Sequence, residues 1–152
     1  MGDTCSGEYI EKLAKNCDVL IHEATNAYFP GLSRFDTQKE LENNTKRNGH
    51  STPEMAAQEA HRMNAKALLL THFSTRYSGD ASEESITAMM QIEGMAKRAY
   101  ANMLPSSHTV SEGAAPQAEP SIPIVAAYDF MKYPVYRKGS HEKKRLNCVE
   151  QQ

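Results

Sequence analysis

The sequence predicts an α/β fold built on a small parallel sheet. Two short apolar runs without polar alternation, at 17–21 and 67–70, are typical of strands covered on both faces. Between them, residues 51–54 (STPE) predict a helix start, because a Ser or Thr cap, a first-turn proline and a glutamate at capping-box spacing occur together. Strand, crossover helix and strand in this order form a βαβ unit, which is right-handed in nearly all known cases.

The other elements follow in chain order. Apolar residues at helical spacing predict a helix over about 7–16, and residues 26–49, which lack periodicity, predict a long loop with one helical turn at most. The crossover helix extends to about residue 64, with an apolar stripe of Ala56, Ala60 and Met63. A further helix is predicted from Ser82 to about Tyr100, and its inward residues are Ile86, Met89, Met90 and Ala96.

The carboxyl-terminal third changes character. Residues 105–121 are rich in Pro, Ser and Ala and predict a disordered spacer, because they bury too little apolar surface to order themselves. Residues 122–135 return to strand-like composition, and 136–152 form a basic, flexible tail. We therefore expect one domain portion over 1–135, followed by that tail.

Composition excludes several classes of protein. The chain has 152 residues, 39% of them hydrophobic, and no apolar run approaches the roughly 18 residues of a membrane span. A net charge of -2 gives no global positive field for nucleic acid, so an RNA partner requires a local patch. Three scattered cysteines without CxxC spacing suit a reducing compartment. We expect an intracellular protein, cytoplasmic, nuclear or organellar, without a membrane partner.

Polar motifs fall where the predicted strands end. Glu23 ends the first strand, His72 ends the second, His50 precedes the crossover helix, and Asp3 precedes the first helix. Ligands of open α/β sheets bind beyond the carboxyl ends of strands, so these side chains are expected on one rim. Imidazole and carboxylate suit hydrolytic zinc, which fits Asp3 and His72 as ligands. A histidine beside a carboxylate, as His50 with Glu23, can instead relay a proton.

Each motif also has a purely structural interpretation. His22 alone is a satisfied buried histidine, residues 2–4 (GDT) form a turn, and Ser51 with Thr52 cap a helix. The methionines of the 82–100 helix pack a core or face a partner. The basic tail is a solvated end or a phosphate-binding arm, and Arg76, close behind His72, is the better candidate for phosphate.

Taken together, the motifs resemble RNase Z, the tRNA 3′-processing endoribonuclease family of the metallo-β-lactamase superfamily. The resemblance rests on residues 2–4 (GDT), 18–25 (DVLIHEAT), 49–52 (GHST), 70–77 (LTHFSTRY) and 126–131 (AAYDFM), in the family's order. It implies that Asp3 bridges two zinc ions, that His72 is a terminal zinc ligand and that Glu23 and His50 handle protons. It further implies substrate contacts from Ser51, Thr52 and Arg76, precursor tRNA as substrate, and a homodimer.

The sequence also departs from the family. The HxHxDH motif, which supplies most metal ligands, is absent, as is the arm that grips tRNA. The resemblance therefore implies the carboxyl-terminal half of an αβ/βα sandwich, with Val19, Ile21, Leu68 and Leu70 only partly buried. We expect marginal stability and no activity of the chain alone, because a two-zinc site needs about six or seven ligands.

Two alternatives remain. One is a non-catalytic RNA- or partner-binding remnant of the same fold. The other is a metallo-hydrolase of a small ester or thioester, which the pairing of Glu23 with His50 disfavours.

Overall fold

Three short parallel strands form the centre of the fold. The computed structural model describes residues 1–77, 80–104 and 122–135. In chain order the elements are α1 (Glu11–Ala14), β1 (Leu20–Glu23), α2 (Gln38–Arg47), α3 (Pro53–Arg62), β2 (Leu68–Thr71), α4 (Glu83–Ala101) and β3 (Ile124–Ala126). The predicted mixed α/β class with a small parallel sheet is confirmed.

The sheet has the order β1-β2-β3, and both neighbouring pairs are parallel. Leu20, Leu68 and Ile124 lie in one row across it, and Ile21, Leu69 and Val125 form the next row. The strands begin later than their apolar runs predict: β1 starts at Leu20, whose N–H donates to the carbonyl of Ala67 at 2.9 Å. The ladder of hydrogen bonds sets these boundaries, so Glu23 belongs to β1 itself.

The two faces of the sheet differ in burial. Leu68 and Leu70 are fully buried in the core that α3 and α4 share with the sheet. Ile21, on the opposite face, is 51% exposed, and Val19 is half-buried. The prediction of partial burial is therefore confirmed for Val19 and Ile21. It is wrong for Leu68 and Leu70, because α3 and α4 cover their face of the sheet completely.

Helices α3 and α4 pack on that covered face. The predicted stripe of α3 is buried, since Ala56, Ala60 and Met63 are each 0% exposed. The inward face predicted for α4 is partly wrong, because Ile86 and Met90 are 51% and 69% exposed. The buried residues of α4 are Ser85, Ile92, Ala96 and Tyr100, while the exposed pair lines a groove beyond the ends of β2 and β3.

Two other helix predictions need correction. The first helix covers only Glu11–Ala14 instead of 7–16, and Tyr9 and Leu13 are almost fully exposed. The long loop predicted over 26–49 contains the ten-residue α2. Its start carries a capping box, in which Thr37 Oγ1 accepts from Glu40 N–H and Glu40 Oε2 accepts from Thr37 N–H, both at 3.2 Å.

The predictions for the carboxyl-terminal third are only partly covered by the described residues. The spacer over 105–121 and the tail over 136–152 lie outside the described residues. Within 122–135, only Ile124–Ala126 form a strand. Among the helices that the structure describes, none combines the length and the apolar character needed to cross a membrane.

Candidate metal and proton-transfer site

Four predicted residues from four separate segments meet at the carboxyl edge of the sheet. Glu23 ends β1, His72 follows β2, His50 precedes α3, and Asp3 comes from the amino-terminal segment. One possible ligand atom of each lies within 4.8 Å of those of the other three. We call these four residues the site cluster.

Backbone pairing along β1 carries Asp3 to the cluster. The amino group of Met1 donates to Ile21 O at 2.6 Å, and Glu23 N–H donates to Met1 O at 2.8 Å. The N–H of Thr4 then donates to Glu23 Oε1. Asp3 and His72 both adopt left-handed backbone, with φ of 48° and 55°. Such conformations are costly away from glycine and persist where surrounding contacts enforce them.

Glu23 is the buried member of the cluster. Its Oε2 accepts from Thr25 Oγ1 at 2.5 Å, from His50 Nδ1 at 3.0 Å and from Ser51 N–H at 3.1 Å, and its Oε1 accepts from Thr4 N–H. Burial acts to raise the pKa of this carboxyl, but these hydrogen bonds together outweigh it and hold the pKa below its ordinary value. Glu23 is therefore an ionised acceptor surrounded by donors.

The two histidines face the carboxylates with different nitrogens. His50 Nδ1 lies 3.0 Å from Glu23 Oε2 and 3.6 Å from Asp3 Oδ1. His72 presents Nε2 to Asp3 Oδ1 at 3.6 Å, while its Nδ1 lies 3.9 Å from Glu23 Oε2. The side chains of Asp3, His72 and His50 are 77%, 48% and 28% exposed, so the cluster opens to solvent on the side of Asp3.

The donor set fits a zinc ion held by Asp3 and His72. Glu23 already accepts four hydrogen bonds, and one of them comes from His50 Nδ1. The carboxylate oxygens of Glu23 and the Nδ1 atom of His50 are therefore poor metal ligands. Zinc binds imidazole nitrogen and carboxylate oxygen at about 2.0–2.2 Å, so tetrahedral ligand atoms stand about 3.4 Å apart. The 3.6 Å between His72 Nε2 and Asp3 Oδ1 agrees with that spacing.

Other predicted site residues lie close by. Ser51 and Thr52 are buried, and Thr52 rather than Ser51 caps α3, because its Oγ1 accepts from Met55 N–H at 3.3 Å. Ser51 instead donates its hydroxyl to Thr4 O at 2.5 Å. Arg76 is exposed, and its guanidinium donates to Asn26 Oδ1 and to Ser74 Oγ. Their predicted contacts with substrate remain predictions.

His22 points away from the cluster. It is fully buried, its Nδ1 donates to Glu23 O at 2.8 Å, and burial lowers the pKa of its imidazole. The structural interpretation of His22 as a satisfied histidine is therefore only partly met, because its Nε2 is buried and has no hydrogen-bond partner among the described residues.

Sequence reasoning missed Thr25 and Thr4, which bond Glu23 directly. Both lie inside the RNase Z-like motifs at 18–25 and 2–4, and their place in those motifs is the sequence signal that points to them.

Comparison with known proteins supports the resemblance. The chain is 45% identical to Ribonuclease Z of Bacillus subtilis over 83 residues, which is 55% of this chain and 24% of that protein. It is 43% identical to Ribonuclease Z of Brevibacillus brevis over 93 residues, 59% of this chain and 26% of the relative. Identity to Ribonuclease Z of Archaeoglobus fulgidus is 40% over 81 residues, 53% and 23% of the two chains.

The crystal structure of human tRNase Z, short form, is 41% identical, covers 47% of this chain and 23% of that one, and has a TM-score of 0.35. No family model matches the chain. The predicted similarity to RNase Z is thus confirmed over about half of the chain. The chain spans about a quarter of the length of the curated relatives it matches.

Proposed function

Starting from this similarity to ribonuclease Z, we propose that the chain contributes part of the active site of an endoribonuclease that removes 3′ trailers from precursor tRNA. The reaction is zinc-assisted phosphodiester hydrolysis that leaves a 3′ hydroxyl on the tRNA. The supporting observation is the site cluster: Asp3, Glu23, His50 and His72, each quoted in an RNase Z-like motif, come together from distant positions in the sequence.

The cluster divides into a metal-binding part and a proton-transfer part. Asp3 and His72 would hold zinc, which supplies Lewis-acid polarisation of the phosphodiester and lowers the pKa of water. Glu23 accepts the Nδ1–H of His50, which turns Nε2 of that ring outward. A protonated His50 then donates from Nε2 to the departing 3′ oxygen, and the Glu23 carboxylate stabilises the imidazolium before transfer.

The partly open face of the sheet supports a larger sandwich around this site. On the face opposite α3 and α4, Ile21 is 51% exposed, while Val125 in the same row is half-buried and Leu69 is 8% exposed. We propose that this face packs against a second sheet, as in an αβ/βα sandwich, and that the remaining zinc ligands come from that part. Among the described residues, the cluster offers Asp3 and His72 as ligands, fewer than two zinc ions need.

The direct test is cleavage by a chimera in which this chain replaces the matching quarter of Bacillus subtilis ribonuclease Z. Asp3→Ala and His72→Ala are expected to abolish cleavage of precursor tRNA and to lower bound zinc. His50→Ala is expected to keep zinc and to slow cleavage by about 10²- to 10⁴-fold, the range typical of a general acid. His61→Ala is the matched control, since this exposed ring contacts only Tyr100 among the aromatic side chains described.

Cleavage rate, zinc content and tRNA binding of the chimera variants test the roles of these residues separately. Wild-type rates in Asp3→Ala or His72→Ala would end the ligand assignment, and loss of zinc in His50→Ala would make that residue a ligand. A chimera that binds precursor tRNA without cleaving it would favour the non-catalytic remnant. Steep loss of that binding with rising salt would then identify phosphate contacts, in which Arg76 is the residue to substitute.

Zinc content of the unmodified chain is a second measurement. We expect less than one tightly held zinc per chain after dialysis against a weak chelator, because the cluster offers two ligands. Homodimer formation is proposed from the resemblance alone, and the mass of the chimera in solution tests it.

A further inference from the structure

Thr25 lies at the centre of the site cluster without being a candidate ligand. It follows β1 by two residues, and its hydroxyl reaches across to the residue that follows β2. Its Oγ1 lies 2.5 Å from Glu23 Oε2, 2.9 Å from His72 O and 3.1 Å from His72 Nδ1. One hydroxyl therefore contacts two acceptor oxygens and one ring nitrogen.

The number of protons decides the direction of these bonds. A threonine hydroxyl has one hydrogen to donate and two lone pairs to accept with. Glu23 Oε2, an ionised carboxylate oxygen, and His72 O, a carbonyl oxygen, both accept only. Whichever oxygen takes the hydroxyl hydrogen, none remains for His72 Nδ1, so Oγ1 presents a lone pair to that nitrogen.

The ring of His72 must then carry its hydrogen on Nδ1. In a neutral imidazole one nitrogen is a donor and the other an acceptor, and the hydrogen bond at one nitrogen sets the role of the other. With Nδ1–H directed at Thr25, Nε2 keeps its lone pair. That nitrogen is the one that stands 3.6 Å from Asp3 Oδ1.

We propose that Thr25 is a positioning residue that holds His72 in its Nδ1–H tautomer, with Nε2 ready to bind metal. This role rests on the proposed function, in which His72 Nε2 is a zinc ligand. Metal-binding histidines commonly donate their other ring N–H to an oxygen of the protein, which fixes tautomer and ring orientation.

The first test needs neither metal nor activity. Long-range ¹H–¹⁵N NMR on the metal-free chain, above the pH at which its histidines are protonated, identifies the protonated nitrogen of each ring. His72→Asn, whose side chain tolerates left-handed backbone, assigns the His72 signals by their loss. We expect hydrogen on Nδ1 in the wild-type chain, and an Nε2–H tautomer there overturns the proposal by itself.

Variants then test the hydroxyl. Thr25→Val keeps the shape of the side chain and removes the hydroxyl, so the His72 ring is expected to become a mixture of tautomers. Thr25→Ser is expected to restore the Nδ1–H form. Thr71→Val is the matched control, because that neighbouring hydroxyl contacts His22 O at 3.5 Å. An unchanged tautomer in a folded Thr25→Val chain refutes the role, and if that variant does not fold, the wild-type and Thr25→Ser spectra decide.

Zinc affinity separates this inference from the proposed function. In the chimera, Thr25→Val is expected to weaken zinc binding by about 10- to 100-fold, the usual effect of removing a partner of a ligand. Failure of the wild-type chimera to bind zinc overturns the proposed function and leaves the tautomer result standing. Wild-type zinc affinity in Thr25→Val overturns the positioning role and leaves the ligand assignment standing.

Discussion

Replacing the buried Glu23 by glutamine tests how strongly the cluster depends on a carboxylate. The carboxylate accepts four hydrogen bonds, three at Oε2 and one at Oε1. A glutamine has one carbonyl oxygen and one amide group. The most favourable orientation of the glutamine side chain places its carbonyl oxygen at the former Oε2 position, where three donors converge. Its NH₂ group then faces the N–H of Thr4, and these two donors cannot form a hydrogen bond with each other.

The expected cost follows from those bonds. Leaving the N–H of Thr4 without an acceptor costs about 1–3 kcal/mol, and hydrogen bonds to a charged acceptor contribute about 1 kcal/mol more than neutral ones. The glutamine regains part of this because burying a neutral amide is cheaper than burying a charge. We expect Glu23→Gln to lower the free energy of unfolding by about 3 kcal/mol at neutral pH.

The pH dependence has a definite sign. Because the folded pKa of Glu23 lies below its ordinary value of 4.5, the carboxylate contribution is fully present above pH 4.5 and is lost as pH falls through the folded pKa. The difference between wild type and Glu23→Gln should therefore shrink as pH falls below 4.5 and on through the lower folded pKa.

Urea titration followed by circular dichroism measures this difference. Glu42→Gln is the matched control, since Glu42 forms an exposed i,i+4 pair with Lys46 that contributes about 0.5 kcal/mol at most. If Glu23→Gln is already unfolded in buffer, titration with a stabilising osmolyte yields the same difference. An effect of Glu23→Gln no larger than that of the control, or one that does not change with pH, would refute this account of the cluster.

Three further predictions concern the fold around the site. Leu70→Ala should lower the free energy of unfolding by about 2–5 kcal/mol and Ile21→Ala by about 1 kcal/mol, because Leu70 is fully buried and Ile21 is 51% exposed. Equal losses in urea titrations would contradict the placement of Leu70 on the covered face of the sheet and of Ile21 on the other face. Thr37→Ala should cost about 0.5–2 kcal/mol through loss of the α2 cap, and unchanged thermal melting would argue against that cap. Burial lowers the pKa of His22 from its ordinary 6.5, so just below pH 6.5 the unfolded chain binds more protons than the folded chain, and stability falls as pH drops. His22→Gln should flatten the slope of the free energy of unfolding against pH. An unchanged slope would exclude His22 as its source.

The convergence of the cluster was predictable because it follows from topology. Parallel strands end at one edge, and Glu23 and His72 close two strands that the sequence already indicated. The exact strand limits were not predictable, because they depend on which backbone groups pair across the sheet. The hydrogen bond between Leu20 and Ala67 starts β1 three residues after its apolar run begins.

Helix α2 shows a signal that was available but overlooked. Thr37 and Glu40 have capping-box spacing, and the helix behind them buries Leu41 and Thr45. Its polar composition hid the periodicity, since only those two residues are buried. Conversely, of the two methionines of α4 predicted to face inward, Met89 packs against the core, whereas Met90 is 69% exposed.

The sequence by itself determined the fold class, the order of β1, α3, β2 and α4 along the chain, and the four residues that meet at the sheet edge. Apolar runs, caps and motif spacing are local properties of the chain, and parallel topology carries them to one place. Only the tertiary structure decided that Leu70 is covered while Ile21 is not, and that the oxygens of Glu23 are already occupied while Asp3 stays exposed. Burial and hydrogen-bond partners arise between segments far apart in sequence, so no local pattern encodes them.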